Sequence, residues 1–139
     1  MNQKTFVIDS DPKCLKPFRT QLSKWLKSSD ISETNINNLL LALGEACANS
    51  IRHSYHNEKG HKIKVAVRNL KGKIVFKIRD YGEKINFSKI KTPELPPKKP
   101  HGLGVYFLKT VVDELKYNTS HSRGNELILI KYKDRNGKL

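Results

Sequence analysis

The chain has 139 residues, 27 of them Lys or Arg against 13 Asp or Glu, for a formal net charge of +14. That length bounds it to one domain, residues 1–139, with enough chain to bury a real core. A mean hydropathy of −0.61 and the lack of any apolar run near the ~20 residues of a bilayer span exclude a helical membrane protein. The opening Met1-Asn2-Gln3-Lys4 has no apolar stretch of the signal-peptide kind, so a cytoplasmic location is expected.

The excess of positive charge favours acidic partners, whether nucleotide, nucleic acid or an acidic protein face. The lysines are scattered through every segment, without the block that marks a nucleic-acid arm, so direct nucleic-acid binding is not expected. Cys14 and Cys47 are far apart and form no Cys-x-x-Cys, which points to unpaired thiols. Cys47 lies among apolar residues and reads as core.

Thr5 to Asp9 alternates as a short strand. Asp11 and Pro12 then open a helix marked by Leu15, Phe18, Leu22, Trp25 and Leu26 at helical spacing, with Pro17 in its early turns. Ser28-Ser29-Asp30 breaks it. Ser32 or Thr34 caps a second helix running to about Tyr55. At roughly 100° per residue, Ile36, Leu39, Leu40, Leu43, Cys47 and Ile51 gather on one side of that helix. Glu45, Asn49 and His53 fall within about 80° of one another on the other side.

Ile63, Val65 and Val67 alternate along the next strand and Ile74, Phe76 and Ile78 along its partner, with Asn69 to Gly72 as the hairpin. Period two puts Asp80 on the same inner face as Phe76 and Ile78, where the strand ends. From Glu83 to His101 periodicity fails and four prolines appear, the mark of a long functional or disordered loop. Gly102 to about Val112 reads as a third helix, Leu115 to Thr119 and Glu126 to Tyr132 as strands with Gly124-Asn125 between them, and Arg135 to Leu139 as a frayed tail.

Three short motifs carry chemistry. On the second helix, the Asn49 carbonyl suits Mg²⁺, which takes oxygen ligands and few protein groups, and Glu45 can accept a hydroxyl proton. The bland reading of that pair is a buried hydrogen-bonded couple, and His53 can equally close the helix against its dipole. Asp80 with Gly82 can accept from the amino group of a base and make room for its ring; Asp-x-Gly is also a common Asx-turn. Gly102 and Gly104 let backbone approach phosphate at a helix start, with Lys98, Lys99 and His101 adding charge, although Gly-x-Gly also serves as a plain helix entry.

Together these residues resemble the anti-sigma-factor serine/threonine-protein kinases of the GHKL, or histidine kinase-like, ATPase superfamily, over nearly the whole chain. Glu45, Asn49 and His53 stand in the pattern Glu-Ala-x-x-Asn-x-x-x-His, Asp80 and Gly82 in Asp-x-Gly, and His101 to Leu115 in the Gly-Leu-Gly helix with its Val-Asp-Glu exit. The resemblance implies an α+β two-layer sandwich, a mixed, mostly antiparallel sheet of about five strands with three helices on one face.

It implies ATP and Mg²⁺ as cofactors, with Glu45 as general base, Asn49 on the metal and Asp80 on the adenine amino group. His53, Gly82, Gly102, Leu103, Gly104 and Val105 would complete the nucleotide site, and residues 83–101 would form a phosphate lid. The implied partners are a phosphoaccepting anti-anti-sigma protein, a sigma factor and a second copy of the chain. Two positions depart from the family pattern: Lys84 replaces a second glycine after Asp-x-Gly, and Gly124-Asn125-Glu126 replaces a Gly-Thr before the last strand. The alternative function is a non-catalytic, nucleotide-gated module that sequesters a sigma factor or other regulator.

Overall fold

Alternation of apolar and polar residues fixes the sheet. In the computed structural model, which describes residues 2–29, 31–85, 103–134 and 139, five strands line up in the order β1-β2-β3-β5-β4. They are β1 (Gln3–Asp9), β2 (Lys62–Asn69), β3 (Lys73–Asp80), β4 (Glu114–Tyr117) and β5 (Asn125–Tyr132). All four pairings are antiparallel, so among the described residues the expected mixed component is absent. The register aligns Phe6 with Val65, Val65 with Ile78, and Phe76 with Leu129, which sends one apolar set to one face.

That face is covered by three helices: α1 (Leu15–Lys27), α2 (Glu33–Asn49) and α3 (Leu103–Val111). From α1 come Phe18, Leu22 and Leu26, and from α2 Ile36, Leu39, Leu43 and Cys47, all buried with the inward residues of β1, β2, β3 and β5. The three-helix, two-layer reading of the sequence holds. Trp25 lies half-buried against this core, and burial pushes the Cys47 thiol up to about 12. Cys14 and Cys47 are both free. Among the described residues no helix is long and apolar enough to cross a membrane.

The helix ends follow their sequence signals with two differences. Asp11 caps a single 3₁₀ turn, Pro12–Cys14, and α1 starts behind it at Leu15, which leaves Pro17 in the first turn where its missing N–H costs nothing. Ser32 caps α2, its hydroxyl accepting from the Asn35 N–H at 3.3 Å. Ser32→Ala should therefore lower stability by about 1 kcal/mol in a urea titration, with the midpoint moving and the slope unchanged. The second difference is at the far end: α2 stops at Asn49 and continues as one π-helical turn, Ser50–Ser54.

Its wide bonding is seen in the Tyr55 N–H to Ser50 carbonyl bond at 3.1 Å, and an i→i+6 bond from the Asn57 N–H to the Ile51 carbonyl at 2.8 Å closes the end. His56 and Asn57, both left-handed, then turn the chain away. Leu139, expected in a frayed tail, is held: its carbonyl accepts the Ser32 N–H at 3.0 Å and its side chain rests on the core. Residues 135–138 lie outside the described residues.

Candidate functional site

Helical spacing places Glu45 and Asn49 one turn apart on the polar stripe of α2, and both are half-buried. The side chain that joins them is Arg52. Its Nη2 donates to Glu45 Oε1 at 2.9 Å and to Asn49 Oδ1 at 2.6 Å. Arg52 stands in the π turn that follows α2 and reaches back to both. The Arg52 and Glu45 side chains are 45% and 31% exposed, so a pair this well solvated contributes at most about 1 kcal/mol.

His53, expected on the same stripe, makes no hydrogen bond to Glu45 or Asn49 among the described residues. Past Asn49 the π turn advances each residue by less than the ~100° of an α-helix. His53 is exposed, and partial desolvation and the neighbouring Arg52 and His56 lower its imidazole pKa, while Glu45 pulls it up.

The same π turn delivers Ser54 to the strand end. Ser54 is buried, and its hydroxyl donates to Asp80 Oδ1 at 2.6 Å. Asp80 is 1% exposed, as period two requires of a residue in line with Phe76 and Ile78. Its Oδ1 also accepts from the Gly82 N–H at 3.2 Å, the Asn125 N–H at 3.2 Å and Asn125 Nδ2 at 3.0 Å. The Gly82 N–H bond to Oδ1 is the Asx-turn expected of Asp-x-Gly.

Gly82 has no room for a side chain. A Cβ there would stand 2.3 Å from Ser54 Oγ and 2.5 Å from the Ser54 carbonyl oxygen. Gly124 is equally constrained: its φ is +76° and a Cβ would meet the Asp80 carbonyl oxygen at 2.1 Å. Asn125, a departure from the family pattern, is part of this knot. Besides Asp80, its Nδ2 donates to Ser54 Oγ at 3.1 Å and to the Glu83 carbonyl at 2.8 Å, and its Oδ1 accepts the Ile85 N–H at 2.8 Å. Lys84, the other departure, is exposed, and its ammonium donates to the Thr119 carbonyl at 3.5 Å.

The structure therefore brings Glu45 and Asn49 together through Arg52, and Asp80 and Gly82 together through Ser54 and Asn125. One continuous element, α2 with its π turn, carries both ends. Gly102 and most of the expected lid, from residue 86 on, lie outside the described residues. Leu103, Gly104 and Val105 are described only by their backbone, which forms the first turn of α3.

A cleft of about 540 Å³ lies beside this assembly, lined by Tyr55, Tyr81, Gly82, Lys84, Arg123 and Gly124 among others, and includes neither Glu45 nor Asp80. Arg52, Ser54 and Asn125 were not singled out from the sequence as site residues. Arg52 and Ser54 both lie in the π turn, which α-helical spacing does not describe.

Among the described residues no three His, Cys, Asp or Glu side chains cluster to hold a metal ion by themselves. Glu45 and Asn49 offer hard oxygens only, which suits Mg²⁺ arriving with phosphate oxygens and water, since that ion seldom takes more than one or two protein ligands.

Comparison with known proteins fits this arrangement. The model of the histidine kinase-like ATPase domain matches residues 8–131. The serine-protein kinase RsbW of Bacillus velezensis is 25% identical over 134 residues, covering 90% of this chain and 82% of its own. RsbW of Oceanobacillus iheyensis is 26% identical over 133 residues, covering 90% and 83%. The crystal structure of the RsbU and RsbW domains of Rv1364c from Mycobacterium tuberculosis superposes with a TM-score of 0.67 at 16% identity. That match covers 94% of this chain, which spans about a third (32%) of the matched one, and it speaks for the fold alone.

Proposed function

The chain belongs to the histidine kinase-like ATPase domain family, and on that footing we propose that it binds ATP with Mg²⁺ and acts as an anti-sigma regulatory factor, passing the γ-phosphate to a serine of an anti-anti-sigma partner. The observation that carries this reading is a single element with Glu45 and Asn49 on its polar, half-buried stripe and, at its end, Ser54 fastened to the buried carboxylate of Asp80. The relatives' name, serine-protein kinase, supports serine as the acceptor.

Each residue then has a task. Asp80, with Oδ1 fixed by four donors, is oriented to receive the amino group of the base, and Gly82, packed against Ser54, lines the cleft beside it. Asn49 Oδ1 would hold Mg²⁺, which neutralises phosphate charge when bound. Glu45 would take the proton of the serine hydroxyl as its oxygen attacks the γ-phosphorus and the bond to ADP breaks. Such transfer depends on positioning and charge more than on covalent participation by the protein.

The first turn of α3, with Leu103, Gly104 and Val105, would face phosphate, since backbone N–H groups at a helix start are unpaired. A sigma factor and a second copy of the chain are the further partners of this reading, and the net charge of +14 suits acidic protein faces. Nucleotide-gated sequestration without transfer is a second reading, favoured by the hold of Arg52 on Glu45.

Calorimetric titration with ATP, with and without Mg²⁺, tests the proposal. Saturable binding strengthened by the metal is expected. The absence of any binding at millimolar nucleotide would remove the proposal and leave a protein-interaction module with the fold alone.

A further inference from the structure

We infer that Arg52 is a resident cation of the Glu45–Asn49 pair, and that it and a nucleotide-borne divalent cation compete at Asn49 Oδ1. The inference rests on the nucleotide reading above and adds to it a residue that sets the metal dependence of binding. Three observations carry it. One guanidinium nitrogen lies 2.6 Å from Asn49 Oδ1 and 2.9 Å from Glu45 Oε1, so a single positive group already satisfies both oxygens. All three residues lie on the one element formed by α2 and its π turn, so the contact is local to that element. Arg52 is also half-exposed, so its hold is weak enough to be broken by an arriving ion.

A carbonyl oxygen has two lone pairs and could in shape accept both partners. Charge decides against that. A guanidinium and a divalent ion on the same neutral oxygen repel one another, and Glu45 supplies only one negative charge between them. Metal binding therefore releases Arg52 from Asn49. Without metal, Arg52 stays and serves as the cation nearest the phosphates, doing part of the metal's work.

The experiment is a four-way calorimetric comparison: wild type and Arg52→Gln, each titrated with ATP in Mg²⁺ and in EDTA. In Arg52→Gln the metal-free affinity should fall while the metal-loaded affinity is unchanged or tighter. The enhancement by Mg²⁺ should thus grow on the order of tenfold over wild type. Arg52→Lys, which keeps the charge, should restore an enhancement near that of wild type. Melting curves of both variants should match wild type, as Arg52 is a surface residue.

An equal enhancement in wild type and Arg52→Gln overturns the inference, including the case where both affinities fall together because Arg52 simply grips phosphate. That result leaves the nucleotide reading intact. Failure of the wild type to bind ATP under either condition overturns both.

Discussion

Glu45→Gln should slow phosphoryl transfer to the partner serine by about a hundredfold to ten-thousandfold, the usual worth of a positioned general base. The substitution keeps shape and an oxygen that can still accept from Arg52 Nη2, which lies 2.9 Å from Glu45 Oε1. Calorimetric affinity for Mg²⁺-ATP should hence stay within a few-fold of wild type. Phosphoserine on the partner, followed by mass spectrometry under single-turnover conditions, gives the rate. Full transfer by Glu45→Gln would mean another group takes the proton. A wild type that binds ATP and phosphorylates nothing, with partner binding equal in both proteins, would favour the gated module.

The second large effect is on stability. Asp80→Ala removes the acceptor shared by Ser54 Oγ, the Gly82 and Asn125 N–H groups and Asn125 Nδ2. The Asn125 amide and the Ser54 hydroxyl can turn to the Glu83 carbonyl, at 2.8 and 3.3 Å. The two backbone N–H groups have no such alternative among the described contacts, and a buried donor left unmet costs about 1–3 kcal/mol. A loss of about 3 kcal/mol follows, roughly a 10 °C fall in melting temperature for a domain of this size.

Asp80→Asn separates folding from recognition. Its amide oxygen can keep the place of Oδ1, so the melting temperature should stay within a few degrees of wild type. The amide nitrogen then presents a donor where a base amino group needs an acceptor, and ATP affinity should fall at least about tenfold. An Asp80→Ala protein as stable as wild type would show that the four-donor knot does not secure the strand end.

Most of this site was legible because its residues obey simple periods. Period two placed Asp80 inward behind Phe76 and Ile78, and period 3.6 placed Glu45 beside Asn49; both hold in the structure. The five strands and three helices were also legible from alternation, caps and breakers. The wide turn at Ser50–Ser54 was not, because nothing in Ser-Ile-Arg-His-Ser distinguishes a π turn from continuing α-helix. That one local departure carries His53 off the stripe and brings Ser54 to Asp80. Asn125 was noticed only as a mismatch with a family pattern, since its four partners come from Ser54 to Ile85, distant in sequence and close only once the sheet has formed.

The π turn also sets a phase boundary. Upstream of Ser50 the helix keeps the 3.6-residue phase that aims Glu45 and Asn49; downstream, one extra residue per turn resets the phase so that Ser54 meets Asp80. Removing a single residue between 50 and 53 would restore the upstream phase to the whole element. Because a π turn holds one residue more than an α turn, the side chains on either side would keep their places: Glu45 and Asn49 on their face, Ser54 at the strand end. A one-residue deletion there is therefore absorbed where it occurs, and the Glu45–Asn49 face and the Ser54–Asp80 contact stay aligned although both ride on one element.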